Sequence, residues 1–164
     1  MKQLLTLAFS MLFLTGTSQA HDFDINKYVI AHMKAAIAAE KAVTNVINWR
    51  IGDYQKMDLT IMGRMPMGKM HKWVDSEEGN MIWIHSVVDS RQGKQTSKML
   101  IDRATGEIKK IIQNGREQKI PNDPIEIIEQ EATTIKVKAG EFDALKIKAK
   151  SKQIKSMTLW INPR

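Results

Sequence analysis

Methionine is the residue type whose spacing first suggests chemistry. Met57, Met62, Met65, Met67 and Met70 fall within fourteen residues, and the run leads directly into His71. Thioether sulfur is a soft ligand that selects Cu(I), and imidazole suits copper as well, so Met-Pro-Met-Gly-Lys-Met-His is a sensible copper-binding string. His21 adds a further donor pair, because an export cut before it would free an amino group beside its imidazole. Packing is the competing expectation. Met57, Leu59, Ile61, Met65 and Met67 share parity on an extended chain, where flexible methionine fills irregular space on one side of a sheet. A metal site drawn from His21, Met65, Met67, Met70 and His71 therefore stands as the alternative to an apolar surface.

Other chemistries find less support. The four histidines, His21, His32, His71 and His85, form no i, i+4 pair and no zinc-like spacing, and His32 reads as an ordinary boundary residue of a helix. His85-Ser86 with Asp89 lacks a Gly-x-Ser-x-Gly turn, and neighbours on one strand point to opposite faces. Glu77-Glu78 and the spread Glu126, Glu129 and Glu131 read as solvated turn and surface carboxylates. With no glycine-rich phosphate loop before a helix, no cofactor is expected and the chain reads as non-enzymatic. The absence of cysteine rules out a structural disulfide, a thiolate zinc site and a lipid-modified cysteine.

The elements that would position these residues begin with a leader. Lys2, the apolar stretch Leu4 to Leu14 and the small residues of Ser18-Gln19-Ala20 make a secretory signal peptide over residues 1–20, cleaved after Ala20. The apolar stretch is too short to span a bilayer, so a soluble periplasmic domain over 21–164 is expected, with no stable membrane insertion. From Asp24, Ile25, Val29, Met33, Ala36, Ile37, Glu40, Val43 and Ile47 recur at three and four, with only Glu40 breaking the apolar stripe, which predicts an amphipathic helix over 25–47. The alanines beside them raise helix propensity. From Trp49 the period changes to two, with turn signals at Gly79-Asn80, Gln92-Gly93, Thr105-Gly106, Asn114-Gly115 and Ala139-Gly140. Strands are predicted near 49–62, 65–75, 80–89, 95–102, 107–113, 132–138, 142–150 and 155–161. The fold class is α+β, an N-terminal helix on a meandering, mostly antiparallel sheet. In Met81-Ile82-Trp83-Ile84 both faces are apolar, so both should be covered.

Loss of Lys2 would leave 24 of the 25 basic side chains against 18 acidic ones, an excess that favours anionic partners without choosing one. Much of it is the alternating ladder Lys136, Lys138, Lys146, Lys148 and Lys150, which reads as the wet face of half-buried strands. Nucleic acid is not expected, since stacking aromatics beside the ladder are few.

The leader, the amphipathic helix and the string of antiparallel strands resemble the periplasmic lipoprotein-carrier superfamily. Val137-Lys138-Ala139-Gly140-Glu141-Phe142-Asp143-Ala144-Leu145-Lys146-Ile147, followed by Leu159-Trp160-Ile161-Asn162-Pro163-Arg164, resembles a hairpin and strand of uncharacterised periplasmic domains of related architecture. The resemblance implies a curved half-barrel wrapped round its helix, sheltering acyl chains, with a role in outer-membrane lipoprotein sorting. It also implies a further strand after Arg164, so the sheet is shorter here or the sequence is a fragment. The leading expectation is a carrier for a lipid, a lipoprotein acyl chain or another hydrophobic small molecule. Met57, Leu59, Ile61, Met65, Met81 and Trp83 would line its concave sheet. A copper-binding protein and a structural envelope-interaction module are the alternatives.

Overall fold

Between Ile25 and Thr44 the chain has neither proline nor glycine and is rich in alanine, and it forms a single helix, α1 (Ile25–Thr44), in a computed structural model that describes residues 9–12, 25–61, 65–91, 93–137, 140–152 and 156–161. The helix stops three residues short of the predicted end. Asn45 turns into the left-handed region at φ 61°, its amide donating to the Lys41 carbonyl at 2.9 Å, a conformation asparagine tolerates. Ile47 lies beyond this cap and is buried in the same core.

The strands are β1 (Phe9–Leu12), β2 (Tyr54–Ile61), β3 (Met65–Glu78), β4 (Met81–Ser90), β5 (Gly93–Asp102), β6 (Ile108–Gln113), β7 (Arg116–Gln118), β8 (Glu126–Val137), β9 (Gly140–Lys150) and β10 (Met157–Ile161). The fold is α+β with antiparallel pairing throughout, but the strands divide between two sheets. β2 to β7 form a six-stranded meander in chain order. The second sheet runs β1-β10-β9-β8. Pro121 and Pro124 sit in the passage between them, where a residue without an N–H interrupts any ladder. β7 is a strand that the sequence pattern does not predict. Asn114 and Gly115 both adopt positive φ, 47° and 79°, the two-residue turn that folds β6 back on itself.

Phe9–Leu12, which falls within the predicted leader, pairs antiparallel with β10, Phe9 opposite Trp160 and Leu12 opposite Met157. The predicted cleavage point, His21, Met62 and the Asn162-Pro163-Arg164 end lie outside the described residues.

Two bulges shape β3. The register with β2 slips between Leu59 and Thr60, leaving Met67 as the extra residue, and a Cβ on the adjacent Gly68 would run into the carbonyl oxygen of Asp89. The register with β4 slips again at Asp75.

The helix is buried on more than one side. Ile30, Met33 and Ile37 pack on Val74, Ile82, Ile84, Met99, Ile101, Ile108 and Ile111 of the six-stranded sheet. Ala31, Ala35, Ala36 and Ala39 pack on Ile147, Met157, Leu159 and Ile161 of the second sheet. The alanines are thus a contact face, small enough to let the second sheet come close. Truncation tests this core: Ile101→Ala, at 0% exposure, will lower stability by about 3 kcal/mol in urea denaturation, whereas Ile128→Ala, at 49%, will change it by less than about 0.5 kcal/mol.

Candidate functional site: a polar row beneath the helix

Alternation along each strand sends every second residue to the face that α1 covers, and the register decides which of these stand side by side. Across β2 to β6 the register partners are Gln55, Lys72, Ser86, Ser97 and Gln113 in turn. They make one transverse polar row on the inner face. On one side of it lies the row Met57, Met70 and Val88; on the other lies Val74, Ile84, Met99 and Ile111. Two residues of rise separate neighbouring rows, about 7 Å.

Lys72, Ser86 and Ser97 are all buried, at 8%, 3% and 5% exposure. The two serine hydroxyls bond each other at 2.6 Å, which satisfies both groups from adjacent strands. The Gln113 side-chain nitrogen is buried without a hydrogen-bond partner among the described residues. From the helix, His32 and Glu40 are buried as well. Trp49 closes it from the loop before β2: the Lys72 ammonium lies 5.0 Å from the centre of its ring, close enough for a cation–π contact. Arg103 fixes that loop, its guanidinium donating to the Trp49 carbonyl at 2.6 Å and to Glu77.

Burial dominates the electrostatics. Desolvation pushes the Lys72 ammonium down to about 8, with the Glu40 carboxylate pulling the other way. His32 is driven down to about 3, first by burial and then by the Lys72 charge, so its imidazole is neutral at pH 7. The row therefore holds one buried cation, a mutually bonded hydroxyl pair with one proton to spare and, at its far end, an amide donor.

The expected lining residues do not share a surface. Met57 and Leu59 pack on the inner face with Val29, Met70 and Val88, and the bulge brings Met67 in with them. Met81 and Trp83 lie on the outer face, because their neighbours Ile82 and Ile84 are the inward residues of β4. Trp83 there donates to Glu78 at 2.8 Å. Ile61 and Met65 belong to β2 and β3, but their side chains lie outside the described set.

The copper string is divided too. Met70 is buried inside at 1% exposure, whereas the adjacent His71 lies on the opposite face, its Nδ1 3.3 Å from the Tyr54 hydroxyl. Met67, Met70 and His71 thus do not converge, and among the described residues no three His, Cys, Asp or Glu side chains gather at one point. His85 and Ser86 also part company: His85 packs on Trp73 outside, ring centres 4.3 Å apart and planes tilted by 46°, while Ser86 joins the row inside. Glu126, Glu129 and Glu131 are solvated surface carboxylates, as expected. They face Lys150, Lys148 and Lys146 across β8 and β9, at 3.0, 3.9 and 3.1 Å, which explains the lysine ladder as one side of a cross-strand charge pairing.

Two members of the site do not stand out from the sequence: Lys72 carries no motif, and His32 looks like a boundary residue although it is buried. The signal that could find Lys72 is its parity with Met70 and Val74, hidden because the bulge at Met67 breaks the alternation from the methionine run.

Comparisons with protein-family models, curated proteins and solved structures found no match.

Acid should destabilise this site. An unfolded histidine takes up a proton near pH 6.5 and buried His32 does not, so stability is lost as pH falls below about 6.5, by at most ~1.4 kcal/mol per pH unit. Urea denaturation will show a drop of roughly 2 kcal/mol between pH 6.5 and 5, and His32→Gln will remove most of that slope.

Proposed function

We propose that this protein is a non-enzymatic periplasmic binding or carrier protein for a lipid or other hydrophobic ligand, held between α1 and the inner face of the six-stranded sheet. The arrangement is read as a curved half-barrel of the lipoprotein-carrier kind, two sheets wrapping one helix. The observation that carries the reading is the makeup of the layer under α1. Met33, Met57, Met67, Met70 and Met99 gather there, and unbranched, polarizable side chains can re-pack around a guest at low cost.

Six strands at a spacing of ~4.8 Å give a floor about 24 Å wide, largely apolar on either side of the polar row, with Gln95 beside Val88 and Gln118 beside Ile111 as further polar positions. Met57 and Leu59 belong to this surface. Met81 and Trp83 do not, since they are on the far side of β4. Export is part of the same proposal: cutting after Ala20 would remove β1 and leave β10 as the sheet edge, with α1 still in place. No helix of the described residues is long and apolar enough to cross a membrane. An acyl chain of a lipoprotein is one cargo of the required chemistry.

Native mass spectrometry of protein purified from its own periplasm will detect a co-purifying lipid, and an apolar fluorescent probe will be displaced by it. Protein that carries no extractable ligand and binds no probe would overturn the proposal.

A further inference from the structure

We infer that the ligand is an anionic single-chain amphiphile whose head group is received by Lys72 and the polar row while its chain lies along the methionine-lined inner face. This rests on the reading of the protein as a hydrophobic-ligand binder and names the chemical class of the ligand.

A purely apolar guest would need none of these groups. Burying an ammonium costs several kcal/mol unless charge and hydrogen bonds compensate it. Lys72 lies on β3, second from the edge of the sheet, between the Met70 and Val74 rows of the inner face, with Glu40 as the opposing charge. A carboxylate or phosphate fits the rest of the row as well. Its oxygens accept hydrogen bonds, and beside the Lys72 ammonium the row presents the Ser86–Ser97 hydroxyl pair, which keeps one proton to donate while the two bond each other. The Gln113 nitrogen stands three strands further on, about 14 Å at ~4.8 Å per strand, and is left to a group other than this head group. A cationic head group would meet Lys72 as a like charge. A hydroxyl head group would forgo the ion pair.

Glu40 sets the exchange. It sits one turn from the end of α1, on the helix that must shift for a chain to enter. Before binding, its carboxylate opposes the Lys72 charge; on binding, the head group of the ligand takes over that role and Glu40 is released toward the helix end. Glu40 is therefore a competitor of the ligand as well as a partner of Lys72.

The test is a head-group series at constant chain length, measured by probe displacement on the mature protein. Dodecanoate, dodecyl phosphate, dodecanol and dodecyltrimethylammonium are titrated below their micelle concentrations. At least one of the two anions will bind about tenfold tighter than dodecanol, the scale of one charge-assisted hydrogen bond, and which of them binds tighter distinguishes a fatty acid from a phosphate monoester. Dodecyltrimethylammonium will bind most weakly. Lys72→Met will abolish the preference and keep dodecanol binding, and Glu40→Gln will tighten binding of the anions severalfold. The series on the unaltered protein remains decisive even where Lys72→Met does not fold. Equal affinity for the anions and dodecanol would overturn the head-group inference and leave the hydrophobic-binder reading standing. Binding of none of the four would overturn both.

Discussion

One helix satisfies two sheets at once, and the rest of the molecule follows from that constraint. Its larger residues, Ile30, Met33 and Ile37, fill the layer over the six-stranded sheet. Its alanines let the second sheet approach on the other side. A helix apolar on several faces is stable only when it is enclosed. Neither sheet alone would enclose it. The interior is accordingly two seams rather than one core, and the seam richer in methionine is the one that can give way.

Within that seam the polar row is the exception that requires explanation. Ser86 and Ser97 satisfy each other and cost little. Lys72 is different, because a buried charge is held only by an opposing charge and by donors and acceptors placed around it. Trp49 and Glu40 supply part of that, and the neutral His32 avoids adding a second cation beside it. The outer face of the same sheet is arranged in the opposite way, with Trp73, His85, Asp75 and Lys98 at a wetter surface where charges are screened.

Much of this fold is legible from period and turn chemistry. The change from period 3.6 to period 2 near Trp49 locates the helix and the first sheet, and Asn114-Gly115 marks a turn. What periodicity does not reveal is partition. Nothing in the alternation of 132–150 says that those strands leave the first sheet; Pro121 and Pro124 carry that information and read only as a connection. The alanines of α1 register as propensity because a small side chain looks neutral until a second sheet lies on it. The candidate site is less legible still. Parity predicts a shared face only while the ladder is regular, and the bulges at Met67 and Asp75 reset it within one strand. Met81 and Trp83 group with Met57 by sequence because apolar residues on both faces of β4 leave the inner face ambiguous. Lys72 becomes visible only when the register sets it beside Gln55 and Ser86.

The proposed ligand lies beneath α1, with its greasy chain on the inner face and its charged end at Lys72. A crystal structure of the mature protein with a fatty acid brominated at its far end tests this most directly, because anomalous scattering locates the chain terminus. The carboxylate is expected within hydrogen-bond distance of the Lys72 ammonium and the bromine on the inner face of the six-stranded sheet, beneath α1. Bromine on the outer face beside Trp73 and Trp83, or its absence from the protein altogether, would contradict that placement.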